Sequence, residues 1–383
     1  MAARFLWHPK ARLFGPDGQE VVPLAASAGR AVLPADPPGA ALAQALAAPA
    51  GFRIGALDAP APLPGPLPMF ETLTSGSTGP PRRIVRSQAS WTVSFAVNAR
   101  LFGLGPGRRL AVLGGLVQSL ALYGAVEGLH LGAEVHLLAG LRPDRQAAAL
   151  AARGVDTLYA TPAQLRGLTG ALPDLRLILV GGSKLDARLR ADLAVLAPGA
   201  ELREFYGAAE ASFITLADGQ TPEGSVGRAY PGVELALREG EVWVKSPYLF
   251  DGYGADTGTA QWDAGWLSVG EMGWLQDGFL YLSGRKGRMV TVADQNVFPE
   301  EIEALMQTLP GITRAAVLPL ADAARGHVLQ AVAMGDPAQE AAILGALRAA
   351  LGPLKAPRRI VWRSDWPTLA SGKTDLRAVE AGE

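Results

Sequence analysis

The chain has no cysteine among its 383 residues, which excludes disulfides, thiolate nucleophiles and cysteine metal sites. Histidine is nearly as scarce: four are present, none at ligand spacing, so a zinc centre has nothing to rest on. The start, "MAARFLWHPKARLFGPDGQ", has no apolar stretch long enough for a signal core, and no run elsewhere reaches the length of a membrane span. An excess of one charge is missing too, because 35 Lys plus Arg face 36 Asp plus Glu, and no bulk field draws nucleic acid or an anionic membrane. No serine occupies a G-x-S-x-G elbow. These absences predict a cytoplasmic chain whose partners are small molecules or another protein, with no nucleic acid and no membrane.

What is present supports a large core. Hydrophobic residues make up 49% of the chain, and a single core stops growing well below this length, so two domains are expected. The 46 glycines and 29 prolines punctuate apolar segments rather than cluster. Up to about Pro68 the chain is Ala/Pro-rich and weakly periodic, with one helix at "GAALAQALAA" and Pro-rich coil at "APAPLPGPLP". From "SQASWTVSFAVNARLFGL" to "DARLRADLAVLAP" helical spacing alternates with short apolar runs such as "RRLAVLGGL" and "PDLRLILVGGS", which predicts an α/β domain with a mostly parallel sheet. After Gly224 the pattern becomes alternation of period two around glycine turns, as in antiparallel structure. Beyond "GRKGR" a hairpin, two helices and further strands read as a compact α+β unit. The expected domains are 1–286 and 287–383, with the boundary near Gly287.

The stretch "TSGSTGPPRR" is polar, glycine-rich and closed by two prolines, so it is a loop. Its backbone N–H groups and hydroxyls, with Arg82, could form an anion nest, or the run could be an ordinary surface turn. Two sequences imitate other nucleotide sites. "PTLASGKT" ends like a Walker A loop, but Pro367 stands at its first required glycine and too little chain follows. "GLGPG" at 103–107 precedes a strand instead of following one.

Seven segments in order resemble the acyl-adenylate-forming superfamily of acyl-CoA synthetases, carrier-protein-loading adenylation domains and luciferases. They are "TSGSTGPPR", "EFYGAAEAS", "GSVGRAYPGVEL", "GEVWVKSPYLFDGY", "GWLSVGEMGWLQDGFLYLSGRKGRMV", "NVFPEEIEALM" and "PTLASGKTDLRAV". The resemblance implies activation of a carboxylic acid by ATP to an acyl-AMP, then transfer to the thiol of coenzyme A or of a carrier-protein phosphopantetheine. By the same resemblance Thr74, Ser75, Gly76, Ser77, Thr78, Gly79 and Arg82 cradle the β and γ phosphates. Glu210 holds Mg2+, for which a hard oxygen ligand is suited. Tyr206 lies against adenine, Glu271 and Arg285 grip the ribose, and Lys373 is the mobile cation that joins the carboxylate to the α-phosphate. Gln118 and the run Gly181, Gly182, Ser183 correspond to walls of the acid pocket, for which a small aryl or short acyl group is expected.

Several positions depart from the family pattern. Arg82 replaces a lysine, Ala209 a threonine, and Glu271 an aspartate one methylene shorter. Gly287 replaces a charged hinge residue and should ease rotation of the small domain. Asp294 stands where a glycine lets the pantetheine arm pass, which bears on the thioester step. Fewer residues precede the phosphate loop than in the family, so an incomplete first subdomain, completed by a partner or by self-association into a homo-oligomer, is expected. The rival readings are a non-catalytic homologue that binds nucleotide or a partner, and a P-loop hydrolase using "SGKT".

Overall fold

The computed structural model describes residues 4–27, 31–48, 50–62, 68–74, 82–254, 260–293, 295–322, 325–369 and 372–382. They fall into two compact units, one drawn from Met1–Ser75, Pro81–Leu235 and Val244–Leu267, the other from Ala236–Trp243 and Ser268–Glu383. Among the described residues no helix is long and apolar enough to cross a membrane.

The centre of the first unit is the α/β alternation expected from the sequence. Strands Arg109–Val112, Glu134–Leu137, Thr157–Ala160, Leu177–Val180 and Glu201–Ala208 pair in parallel. Helices Ser119–Leu131, Pro143–Ala152 and Ala187–Leu196 lie between them in the chain. Parallel neighbours need crossovers, and the crossover helices cover the faces, which is why such strands are apolar throughout. Leu177–Val180 is buried at all four positions, and Ile178 and Val180 pack with Leu158, Leu189 and Leu193. The helix Ser119–Leu131 ends at Gly132, whose φ of 93° is the left-handed stop that favours glycine. Strands Ser212–Leu216 and Ser225–Ala229 extend the sheet antiparallel beyond Glu201–Ala208.

The opening segment is richer than a helix and a connector. Besides helix Pro38–Ala47 it contributes strands Arg12–Phe14, Ala31–Leu33 and Gly51–Ile54, each too short for alternation to show. In a second sheet, Gly51–Ile54 lies parallel to Met69–Leu73, which runs antiparallel to Arg83–Ser87, which in turn pairs with Gly252–Tyr253. The glycine-serine segment therefore connects two antiparallel strands of this sheet. Arg83–Ser87 was not legible as a strand because its two arginines look like surface residues, yet both are buried.

Those arginines, with Arg53, organise this sheet. Arg53 is wholly buried and its guanidinium reaches Glu71 at 2.5 Å as well as the carbonyls of Gly55, Ala56, Ala59 and Pro60. Arg83 approaches the same carboxylate at 3.7 Å. A buried charge is tolerable only when its donors are all used, and here they fasten residues 55–60 to the strand before the loop. Arg86 is also fully buried. It donates to the Ala209 carbonyl at 2.6 Å, to the Ser212 hydroxyl at 2.7 Å and to the Tyr248 carbonyl. Burial lowers its pKa to about 10, which leaves it charged at neutral pH.

A third buried polar group lies under the helix Ser119–Leu131. The Glu127 carboxyl receives Asn98 Nδ2 at 2.8 Å and the Tyr159 hydroxyl at 2.5 Å, and Tyr230 donates to Asn98 at 2.6 Å. Burial pushes Glu127 up to about 8 against these donors, which pull the other way.

In the second unit, strands Trp266–Gln276 and Phe279–Arg285 form a hairpin turned by Asp277 and Gly278, both at positive φ (52° and 78°). That is the geometry of the tight two-residue turn for which Asp-Gly is favoured. Its register sets Trp274 opposite Tyr281, with stacked rings 5.1 Å apart, and Glu271 opposite Arg285. Further on, strands Ile312–Asp322 and Gly326–Gly335 pair antiparallel and Ile360–Trp362 adds in parallel. Helices Pro299–Thr308 and Glu340–Lys355 bury Ile302, Met306, Ile343 and Leu347 against Val317, Leu329 and Ala331.

Two outcomes are expected. A carboxyl raised in the folded state stabilises fully below its unfolded value, about 4.5, and that contribution is lost as pH rises through about 8. Melting temperature should therefore decline between pH 5 and 9, and Glu127→Gln should remove part of that slope in pH-resolved scanning calorimetry. Arg86→Met should lower stability to urea by about 3 kcal/mol, because it strips the Ala209 and Tyr248 carbonyls of their donor.

Candidate active site

Within the first unit the structure brings several sequence-predicted residues to one end of the second sheet. The neck of the glycine-serine segment is closed by a reciprocal pair: the Arg82 N–H donates to Thr74 Oγ1 at 2.9 Å, and the Thr74 N–H to the Arg82 carbonyl at 3.0 Å. Ser75, Gly76, Ser77, Thr78 and Gly79 lie outside the described residues. The Arg82 side chain is exposed and extends over the ring of Tyr253, with its guanidinium carbon 5.2 Å from the centroid and Nη1 3.4 Å from the hydroxyl.

That hydroxyl also donates to Glu210 Oε1 at 2.8 Å. Glu210 is half-buried on the turn between strands Glu201–Ala208 and Ser212–Leu216. The turn is held from both sides, by Arg86 on the Ala209 carbonyl and by the Phe250 N–H on the Glu210 carbonyl at 2.8 Å. Ala209 thus serves through its main chain, where a threonine would have added a hydroxyl. Burial, with the Glu210 charge beside it, pushes Tyr253 up to about 12, so it remains a hydrogen-bond donor at neutral pH. Tyr253 and Arg86 are the residues that sequence reasoning missed. Tyr253 ends "GEVWVKSPYLFDGY", one of the segments that carry the resemblance; Arg86 carries no periodic signal at all.

Among the described residues no group of three or more His, Cys, Asp or Glu could hold a metal ion. A single hard carboxylate beside a hydroxyl suits magnesium, which keeps waters and takes substrate phosphates rather than an all-protein cage. Glu210 fits that part.

The residues assigned to the acid pocket lie in the same unit. Gln118 begins the helix Ser119–Leu131, bridges to Leu73 on the strand entering the glycine-serine segment, and is followed by Ser119, whose hydroxyl donates to Thr72 Oγ1 at 2.9 Å. Gly181 follows strand Leu177–Val180, and a Cβ there would fall 2.3 Å from the Phe205 ring, so only glycine leaves the ring in place. Gly182 and Ser183 are exposed, Gly181 is buried, and Tyr206 is half-buried on Glu201–Ala208.

The second unit carries the other group. Arg285 Nε lies 3.6 Å from Glu271 Oε1 across the hairpin. Glu271 is raised to about 7, chiefly by burial; Glu300 adds to the rise, while Arg285 and Lys373 oppose it. Lys373 is half-buried, and its carbonyl accepts from the Leu369 N–H at 2.9 Å. Gly287 sits in the short 3-10 turn Lys286–Arg288, between an ion pair of Lys286 with Glu241 at 2.8 Å and one of Arg288 with Glu303 at 2.7 Å. Asp294 lies outside the described residues.

Comparison with known proteins identifies the family. Residues 25–254 match the family model of the AMP-binding enzymes and residues 301–373 that of the AMP-binding enzyme C-terminal domain. The uncharacterized acyl-CoA ligase YhfT of Bacillus subtilis is 32% identical over 324 residues, 80% of this chain and 67% of that protein. Indoleacetate-CoA ligase of Aromatoleum aromaticum is 28% identical over 351 residues, 82% of this chain and 68% of that protein. In structure, O-succinylbenzoate coenzyme A synthetase of Bacillus subtilis, in complex with ATP and magnesium ion, aligns with a TM-score of 0.71 at 22% identity over 81% of this chain and 69% of that one. A family match that runs over more than half of its length, together with a hairpin and turns that bear the ordered motifs, makes this chain a member of the AMP-binding enzymes.

Proposed function

We propose that the chain activates a small aryl or short acyl carboxylic acid with ATP, forming an acyl-AMP and pyrophosphate, and then passes the acyl group to a thiol. The acceptor is coenzyme A, in keeping with the names of its relatives, and a carrier-protein phosphopantetheine is the alternative. The observation that carries this reading is the meeting of Arg82 and Glu210 on the hydroxyl of Tyr253, at the neck of the glycine-serine segment. A cation directed at phosphate and a carboxylate fit for magnesium are what transfer at an α-phosphorus requires.

The proposed roles follow from the chemistry. Two anions, the carboxylate of the acid and the α-phosphate, must be pressed together, and each side chain offsets part of that repulsion. Thr74, Ser75, Gly76, Ser77, Thr78, Gly79 and Arg82 hold the β and γ phosphates. Magnesium on Glu210 would neutralise charge on the leaving pyrophosphate. Tyr206 lies against the base, and Glu271 with Arg285 accepts from and donates to the ribose hydroxyls. Lys373 joins carboxylate and α-phosphate. Gln118, Gly181, Gly182 and Ser183 wall the acid. Residues 1–286 form the adenylate-forming domain and 287–383 a mobile one, with Gly287 at the hinge and the cytoplasm as the place of action.

The test is carboxylate-dependent exchange of pyrophosphate into ATP across a panel of aryl and short acyl acids. Wild-type protein should exchange with at least one acid, Lys373→Ala should lose at least about a hundredfold, the order of one well-placed charge, and Glu210→Gln should raise the magnesium requirement. A well-folded wild type that binds ATP yet exchanges with none would favour the non-catalytic reading, for which Ala209 and Glu271 speak.

Glu271 gives a further handle. With its carboxyl raised to about 7, it gains charge between pH 6 and 8 and becomes a better acceptor for the ribose hydroxyls. The KM for ATP should fall over that range more steeply in the wild type than in Glu271→Gln, as steady-state exchange at several pH values would read.

A further inference from the structure

Tyr253 belongs to none of the roles given so far, yet it touches two of the groups that carry them. Its place is fixed by backbone pairing: Gly252–Tyr253 lies antiparallel to Arg83–Ser87, with Tyr253 opposite Ile84 and the Gly254 N–H on the Arg83 carbonyl at 2.8 Å. The ring packs edge-on against Phe250 with centroids 5.0 Å apart. From that position the hydroxyl donates to Glu210 Oε1 at 2.8 Å and lies 3.4 Å from Arg82 Nη1, while the guanidinium covers the ring.

A flexible arginine and a carboxylate that reach one hydroxyl are near enough to pair directly if nothing intervenes. Direct pairing would occupy the carboxylate oxygens that a divalent cation needs and turn the guanidinium away from phosphate. We propose that Tyr253 is a positioning residue that keeps Arg82 and Glu210 apart and aimed, so that the carboxylate stays available to magnesium and the guanidinium to phosphate. The hydroxyl provides what each partner lacks. It is a donor to the carboxylate and an acceptor for the guanidinium, and it adds no charge of its own. The ring face offers the cation a second resting place over the strand that leaves the loop. This inference rests on the proposed function of the same site.

The experiment uses the whole protein, with magnesium and ATP as probes. Tyr253→Phe keeps the ring against Phe250 and removes the hydroxyl. In calorimetry the strengthening of ATP binding by magnesium should shrink about tenfold, the worth of one hydrogen bond to a charged group, with the melting temperature unchanged. In pyrophosphate exchange the half-saturating magnesium concentration should rise by a similar factor, while kcat at saturating magnesium stays within about twofold. The double variant Tyr253→Phe with Arg82→Gln should regain the wild-type magnesium requirement, because the competing cation is gone; a purely structural tyrosine would show no such rescue. Arg82→Gln alone, on an exposed side chain, should weaken ATP binding without raising the magnesium requirement, and a rise equal to that of Tyr253→Phe would overturn the spacer role even if the latter folds poorly. Wild-type magnesium dependence in Tyr253→Phe would overturn this inference alone. A wild-type protein that binds no ATP would remove the functional reading and this inference with it.

Discussion

A positive charge sealed inside the first unit is the constraint on which the site depends. Arg86 has no exposure to water, so each of its donors must find an acceptor or the fold bears a heavy desolvation cost. One acceptor, the Ser90 hydroxyl, is local, and the others come from far along the chain: the carbonyls of Ala209 and Tyr248 and the hydroxyl of Ser212. The turn bearing Glu210 and the segment leading to Tyr253 are thereby tied to the strand that leaves the glycine-serine segment. None of the three can drift without leaving an unpaired charge in the interior. The precision of an exposed site is in this way set by a group that never meets solvent.

Three carboxyls show how differently burial can be used. Glu71 is placed between Arg53 and Arg83 and holds strand to loop. Glu127 has hydroxyl and amide donors around it but no cation within its network, so burial dominates and it is held largely neutral. Glu271 lies between the two cases, with Arg285 and Lys373 drawing it toward the charged form and burial drawing it away. Its charge is poised near neutral pH, and it lies in the unit that carries Lys373.

Much of this was legible in the sequence, for definable reasons. The parallel core was readable because strands covered on both faces become uninterrupted apolar runs, as in Leu177–Val180. The hairpin at Asp277 and Gly278 was readable from its turn residues. The ordered motifs pointed to Thr74, Arg82 and Glu210, and the fold sets these three around one end of a sheet. What stayed hidden was long-range. Arg53, Arg83 and Arg86 belong to a residue type that is rarely buried, and nothing local marks an arginine most of whose partners lie more than a hundred positions away, as Ala209, Ser212 and Tyr248 do from Arg86. The short strands of the opening segment fell below the length at which alternation can be seen, and Tyr253 gains its meaning only from the pairing of Gly252–Tyr253 with Arg83–Ser87.

The Asp277-Gly278 turn has an effect well beyond its own tip. Side chains along a strand alternate between two faces, so the span of that bend decides which partner each residue meets across the ladder. The pairing of Glu271 with Arg285 lies beyond a second adjustment, the register shift between Met272 and Gly273, so bend and bulge together bring the two side chains face to face. The number of residues in that bend, more than their identity, therefore bears on which side chains of this ribbon meet.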